Sequence, residues 1–196
     1  MDYRVLLGFV SAFVSLVSLF PYARSMIRGK TRPHLFTWLV WAILTTLIFL
    51  IQLNGNAGPG AWGSGVIATT SLFIFVFSCF KGEKTGSYLD WFSLVTALLA
   101  IPLWLVTPDP TASAIFVTVI DVIAFWPTVS KSWRDPHSEN FAYYVCWLIK
   151  YPSACFALAT FSVANAVYPV TWSFIGIFFT LMLFVRGKKV APLLVH

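Results

Sequence analysis

Two short stretches decide how the chain is read: Pro21-Tyr22-Ala23-Arg24-Ser25-Met26-Ile27-Arg28-Gly29-Lys30-Thr31 and Pro127-Thr128-Val129-Ser130-Lys131-Ser132-Trp133-Arg134. Each sets a proline at the end of an apolar run and follows it with a basic, hydroxyl-bearing loop. A shift of 106 residues lays Pro21 on Pro127 and Arg28 on Arg134, and it carries Trp41 onto Trp147 and Ser15 onto Asp121. The same shift superposes an apolar run, the proline, the basic loop, an aromatic-rich run and a third run. That third run ends in Phe80-Lys81-Gly82 or, one residue out of register, Val185-Arg186-Gly187. Residue identity is low, so the repeat is one of topology.

Outward from these anchors lie seven apolar runs, at 5–22, 35–53, 61–80, 89–106, 111–129, 141–161 and 167–185. A helix needs about 20 apolar residues to cross a bilayer, and each run is close to that. Helix breakers separate them, as in Asn54-Gly55-Asn56-Ala57-Gly58-Pro59-Gly60 and Pro108-Asp109-Pro110. Of 196 residues, 59% are hydrophobic and 10% charged, against roughly a quarter charged in soluble domains. What remains outside the runs is too short for an extramembrane catalytic or nucleic-acid-binding domain. The net charge of +6 therefore reads as membrane orientation, with no nucleic-acid partner.

Of the 13 Lys and Arg, all but Arg4 and Lys150 fall on the side reached after the first, third, fifth and seventh runs. The positive-inside rule then puts the amino terminus outside and the carboxyl terminus in the cytoplasm. Short loops with this charge asymmetry suit a bacterial inner (plasma) membrane. The first run reads as a span and not as a signal peptide. Met1-Asp2-Tyr3-Arg4 has no net charge, no small-residue cleavage site precedes Pro21, and the run has a counterpart later in the chain. Cys79, Cys146 and Cys155 are odd in number and lie inside runs, so they read as small apolar fillers and not as a disulfide framework.

The expected fold is an all-α integral membrane protein of seven transmembrane helices. A first three-helix bundle (1–86) and a second (110–196) are joined by a linker helix (87–109). An odd linker gives both halves one orientation, a parallel repeat about an axis along the membrane normal. The first proline loop, followed by Trp38 and Trp41, resembles the PQ-loop, SWEET and SemiSWEET pattern; the second, followed by Ser138 and Glu139, resembles it more closely. Tyr22 and Thr128 stand where that pattern carries Gln. Nicotinamide riboside-type vitamin transporters have a similar seven-helix plan. The resemblance implies a transporter of a small polar solute, such as a sugar, an amino acid or a vitamin-like molecule, that works by alternating access. It also implies hinge or gate roles for the matched prolines Pro21 and Pro127.

Two charged residues lie near the middle of runs, Asp121 in the fifth and Lys150 in the sixth. Each costs about 2.5–3.5 kcal/mol at a helix centre, so such residues face a protein interior or a wet cavity. At similar depth on consecutive helices they are expected to pair, either as structural glue or as the substrate site, with Asp121 able to link transport to a proton. Tyr143, Trp147, Lys150 and Ala154 form one helical stripe that sets two aromatics beside a cation, a wall for a flat solute; interfacial belts and helix packing explain such aromatics equally. Trp41 joins the candidates as the mate of Trp147. Ser15 joins as the mate of Asp121, on a stripe with Ser11 and Ser18 that packing serves as well. Thr69, Thr70, Ser71 and Trp172 carry the same ambiguity. Pro152, just past Lys150, is a third kink or hinge position.

Asp121 is the one acid deep inside a run, Asp90 standing at the cytoplasmic start of the fourth, and no Ser/His, His/His or paired-Asp set accompanies it, so no enzyme activity, cofactor or metal is expected. The partners expected are a small-molecule solute and the lipid bilayer, with a homo-oligomer left open. A membrane receptor or assembly subunit is the alternative function.

Overall fold

The computed structural model describes residues 2–29, 32–106 and 109–189. All seven apolar runs are helical: α1 Tyr3–Ile27, α2 Leu35–Asn54, α3 Trp62–Lys81, α4 Tyr88–Val106, α5 Pro110–Arg134, α6 Phe141–Phe156 and α7 Val163–Gly187. Their starts follow from local chemistry. The first amides of a helix lack intrahelical acceptors, and side chains take up that role. Asp2 accepts from Arg4 N at 3.0 Å, Asp109 from Thr111 N at 2.8 Å beside Pro110, and Ser162 from Asn165 N at 3.3 Å. At α4 the capping is reciprocal: Ser87 N donates to Asp90 Oδ2 at 2.7 Å, while Asp90 N donates to Ser87 Oγ at 3.3 Å.

Five of the helices, α1, α2, α3 with its preceding turn, α5 and α7, are long and apolar enough to cross a membrane, whereas α4 and α6 are shorter. This composition fits an integral membrane protein. Apolar side chains face outward, among them Phe9, Phe13, Phe73, Phe92, Ile123, Phe174 and Phe178. Inside are Ser11, Ser15, Thr45, Gln52, Ser71, Asp121, Lys150 and Asn165, all buried. Lipid can solvate the first set but not the second, so an apolar exterior around a partly polar interior is the arrangement a bilayer selects.

Helix packing follows the repeat. Within the first three helices α3 lies between α1 and α2, and within the last three α7 lies between α5 and α6. Across the middle, α1 packs on α6 and α2 on α5, while α2 meets α7 and α3 meets α6. Each of these contacts turns into another when α1, α2 and α3 are exchanged for α5, α6 and α7. Only α4, set against α2 and α5, has no mate.

Three expectations need correction. α1 runs six residues past Pro21 to Ile27 and α5 runs on past position 127, so neither proline ends its helix. The side chain of Pro127 lies outside the described residues. α6 stops at Phe156, short of the expected 161. The helix runs four residues past Pro152 and is capped by Ala157 N donating to the Ser153 carbonyl at 3.0 Å. Beyond it the chain pairs with another loop: Ala159 N donates to the Ala57 carbonyl at 2.9 Å. The carbonyl of the buried Ala57 is thereby satisfied without helix.

The two ends differ. At the end that carries the basic loops, Leu35 N donates to Glu83 O and Glu83 N to Pro33 O, both at 2.9 Å. His34 Nε2 donates to the Thr85 carbonyl at 2.8 Å beside Asp90. In the second half, the Arg186 guanidinium covers the Trp133 ring at 4.2 Å. The other end is closed by the turn between α2 and α3 meeting the loop between α6 and α7.

Candidate functional site

Between the halves lies a cavity of about 80 Å³. Its walls come in helical pairs: Trp41 and Thr45 from α2, Ile67 and Ser71 from α3, Asp121, Phe125 and Thr128 from α5, and Tyr168 and Trp172 from α7. α6 supplies Tyr143, Tyr144, Trp147, Lys150 and Tyr151. Residues four apart on a helix share a face, which is why Trp41/Thr45, Ile67/Ser71, Asp121/Phe125 and Tyr168/Trp172 arrive together.

Lys150 is buried in an aromatic cage. Its Nζ stands 4.7 Å from the Tyr151 ring centre, 5.4 Å from that of Trp147 and 5.7 Å from that of Tyr143. Cation–π attraction of this kind is strongest where water is excluded. Asp121 is also buried; its Oδ2 accepts from Tyr168 OH at 3.1 Å, and the Trp172 side chain is turned toward the same carboxylate. The expected ion pair between the two is not made: among the described residues the one contact within 4.0 Å between an acid and a basic group is His34 with Asp90, at 3.9 Å. The reason is α7. Its Tyr168 occupies Asp121, and its Trp172 stacks on Tyr151, the ring nearest Lys150, at 6.1 Å and 22°. The backbones of α5 and α6 do not approach closely and the two helices meet through Phe125 against Trp147 and Tyr144, which leaves their acid and amine apart.

Trp147 is the hub of the aromatic wall, with ring centres of Tyr144, Trp172, Phe125 and Tyr151 at 4.9, 5.2, 5.5 and 5.6 Å. Its mate Trp41 sits opposite. The buried indole N–H groups of Trp147 and Trp172 are turned toward Tyr143 and Asp121 respectively, without the close, straight geometry of a full hydrogen bond.

The cavity adjoins further space at the basic end. Trp41 and Thr128 line the central cavity and also two spaces at the basic end. One, of about 260 Å³, opens between α2, α4 and α5; the other, of about 380 Å³, is bounded by Pro21, Tyr22, Glu139 and Asn140. At the opposite end the halves are bolted together. Gln52 Nε2 donates to the Asn165 carbonyl at 3.1 Å, and Asn165 Nδ2 donates to the carbonyls of Gly55 and Thr160 at 2.8 and 2.9 Å. Gly60 completes the seal, because a Cβ there would lie 2.5 Å from Leu158 Cδ2 and 2.9 Å from Leu158 Cα.

Of the expected site residues, Asp121, Lys150, Trp147, Tyr143 and Trp41 share this cavity. Ser15 does not. It is buried in α1, which packs on α3 and α6, and its hydroxyl has no partner. Its neighbour Ser11 abuts Gly63 of α3, the close approach that small residues permit. Pro21 lines the larger vestibule, and Pro152 lies on α6 beyond the cavity wall. Sequence reasoning missed Phe125, Tyr144, Tyr151 and Tyr168. The spacings of Phe125 from Asp121 and of Tyr151 from Trp147 are the signals that could have found them. No family model, characterised protein or solved structure matches the chain.

Proposed function

We propose that the chain is a membrane transporter of the PQ-loop and SWEET type. It moves a small polar solute by alternating access between two three-helix bundles, 1–86 and 110–196, joined by the linker helix α4. In this reading all seven helices cross the membrane, with the amino terminus outside and the basic loops in the cytoplasm of a bacterial cell. α6 spans about 24 Å at 1.5 Å per residue, and the loop that follows it, buried at Ala157 and Leu158, covers the rest of the crossing. The exchange of helix contacts under the repeat supports the two-bundle division.

One observation carries the functional reading. An acid and an amine, each without an opposite charge, line one central cavity that adjoins two spaces at the basic end, while Gln52 and Asn165 tie the halves together at the other. A structural ion pair would have closed on itself. Charged groups kept apart inside a membrane mark a solute or ion path, and space at one end with the halves tied at the other is what alternating access requires of a single state. Asp121 is the residue through which a proton would be linked.

A panel of sugars, amino acids, nucleosides and B-vitamins tests this by thermal stabilisation, since a ligand of the folded state raises its stability. Uptake of the stabilising solute into proteoliposomes should vanish in Asp121→Asn while folded protein remains in the membrane. Full uptake in that variant removes Asp121 from the mechanism. A blank panel moves the reading to a receptor or assembly subunit.

A further inference from the structure

We infer that the central cavity accepts a solute with a zwitterionic head, its ammonium at Asp121 and its carboxylate at Lys150, borne on a flat or apolar body that extends past Trp41. The inference rests on the transporter reading and names its substrate class. It starts from a mismatch. The cavity holds one acid and one amine that the fold prevents from neutralising each other, because Tyr168 and Tyr151 stand between them. A buried charge is costly unless an opposite charge and hydrogen bonds meet it. A solute with a single charge would satisfy one group and leave the other, whereas a zwitterion satisfies both in one binding event.

Donors for a carboxylate are also in place. Besides Lys150 Nζ, the buried indole N–H groups of Trp147 and Trp172 line the cavity, neither in a fully formed hydrogen bond. A carboxylate has two oxygens with about four acceptor sites, enough for all three. Asp121 still has acceptor capacity beyond the bond from Tyr168, and an ammonium supplies donors for it. A neutral sugar brings no counter-charge to either group.

Size fixes how such a solute sits. About 80 Å³ is less than the roughly 150 Å³ of a cavity that holds benzene, so a ring does not fit beside the charged groups. A head of an ammonium, one carbon and a carboxylate does. Trp41, Thr128, Tyr143 and Tyr144 line both this cavity and the vestibule of about 380 Å³. The body therefore lies against aromatic faces on the way toward the basic end.

The test is equilibrium binding of radiolabelled L-phenylalanine to the purified full chain, with competition by phenethylamine, 3-phenylpropionate and glucose. Phenylalanine should bind, and each of the three competitors should bind at least about tenfold more weakly. Lys150→Met should lower phenylalanine to the level of phenethylamine and leave phenethylamine unchanged. Asp121→Asn should lower it to the level of 3-phenylpropionate. Equal binding by a single-charge analogue, preference for glucose, or no binding by any probe overturns the inference. The wild-type series alone decides it if a variant does not fold. Transport is read separately: phenylalanine binding with the charge pattern but without counterflow in proteoliposomes sinks the transporter reading and leaves the zwitterion site. Uptake without the pattern does the reverse.

Discussion

Where α2 brings Trp41 and Thr45 to the central cavity, α6 brings Trp147 and Tyr151, each 106 residues on. Where α3 brings Ile67 and Ser71, α7 has Trp172 and Gly176 at the one-residue slip of the repeat. Leu44 matches Lys150, and Ser15 matches Asp121. The two halves thus bring mated positions of α2 and α6 to one cavity, yet beside Trp41 the first supplies only small and aliphatic groups, while the second supplies the charge and most of the rings. A shared packing scheme does not require shared chemistry. Packing is set by which faces are apolar and close enough to interlock, and a pair of mated positions can diverge as long as the combined volume fits. Gly176 illustrates the trade, since a Cβ there would meet Trp147 Cβ at 3.2 Å.

The hardest blow to that comparison is to make the second half copy the first. Lys150→Leu installs the residue of its mate, removes a buried amine and leaves Asp121 in place. Uptake of the stabilising solute should fall at least about 100-fold, because the counter-charge to the solute is gone. Replacing a buried charge by an apolar group often stabilises, so the melting temperature should rise by about 2–4 °C. Function lost with stability gained would mark Lys150 as kept for its ligand. Both lost together would return it to a structural role.

A smaller effect separates Tyr151 from Thr45. Tyr151→Thr again copies the first half and deletes a ring that touches Trp147, Tyr168, Trp172 and the Lys150 ammonium. The cavity left behind should cost about 3 kcal/mol of stability. Thr45→Ala deletes a hydroxyl already bonded to the Trp41 carbonyl of its own helix at 2.6 Å and should cost no more than about 1 kcal/mol. Unfolding in graded SDS gives both numbers, and equal costs would erase the asymmetry.

The seal between the halves comes next. Asn165→Ala removes two bonds, one to Gly55 that ties α7 to the α2–α3 turn and one to Thr160 that holds the α6–α7 loop against α7. Stability should drop by about 2 kcal/mol. The same variant should speed reaction of a cysteine placed at Ala57, which is fully buried in the wild-type seal, with a membrane-impermeant thiol reagent. Unchanged labelling would mean that this end is held by packing alone.

These sites differ in how far they could be read from the chain. Helix positions came from local apolar runs, and every run is a helix because the signal is contained within its own twenty residues. The end of α6 was not legible. It depends on Ala159 meeting Ala57, a partner about a hundred residues away. Asp121, Lys150, Trp147, Tyr143 and Trp41 could be picked out because charge and aromatic rings inside an apolar run are conspicuous. Ser15 was misassigned because a hydroxyl serves packing and binding equally, and only the face α1 turns to α3 separates the two. The missing ion pair was hidden for a related reason: the residues that intervene, Tyr168 and Trp172, come from a third helix whose place between the other two no spacing encodes.

The mildest test concerns the prolines at the centre of the repeat. Pro21 lies inside α1 and gives the Val17 carbonyl no amide partner from its own ladder, a local weakness that lets a helix bend. It also borders the vestibule beneath Trp41. Pro21→Ala restores the donor and stiffens α1 without touching Asp121, Lys150 or their rings. Solute affinity should stay within about twofold, while the transport rate falls by about threefold, as for hinge positions that govern a conformational step. Pro102→Ala is the control, because Pro102 lies inside α4, the helix without a mate. An equal slowing in both variants would assign the effect to general stiffness. Slowing in Pro21→Ala alone ties the motion to the paired halves, and loss of expression in that variant would make the proline structural.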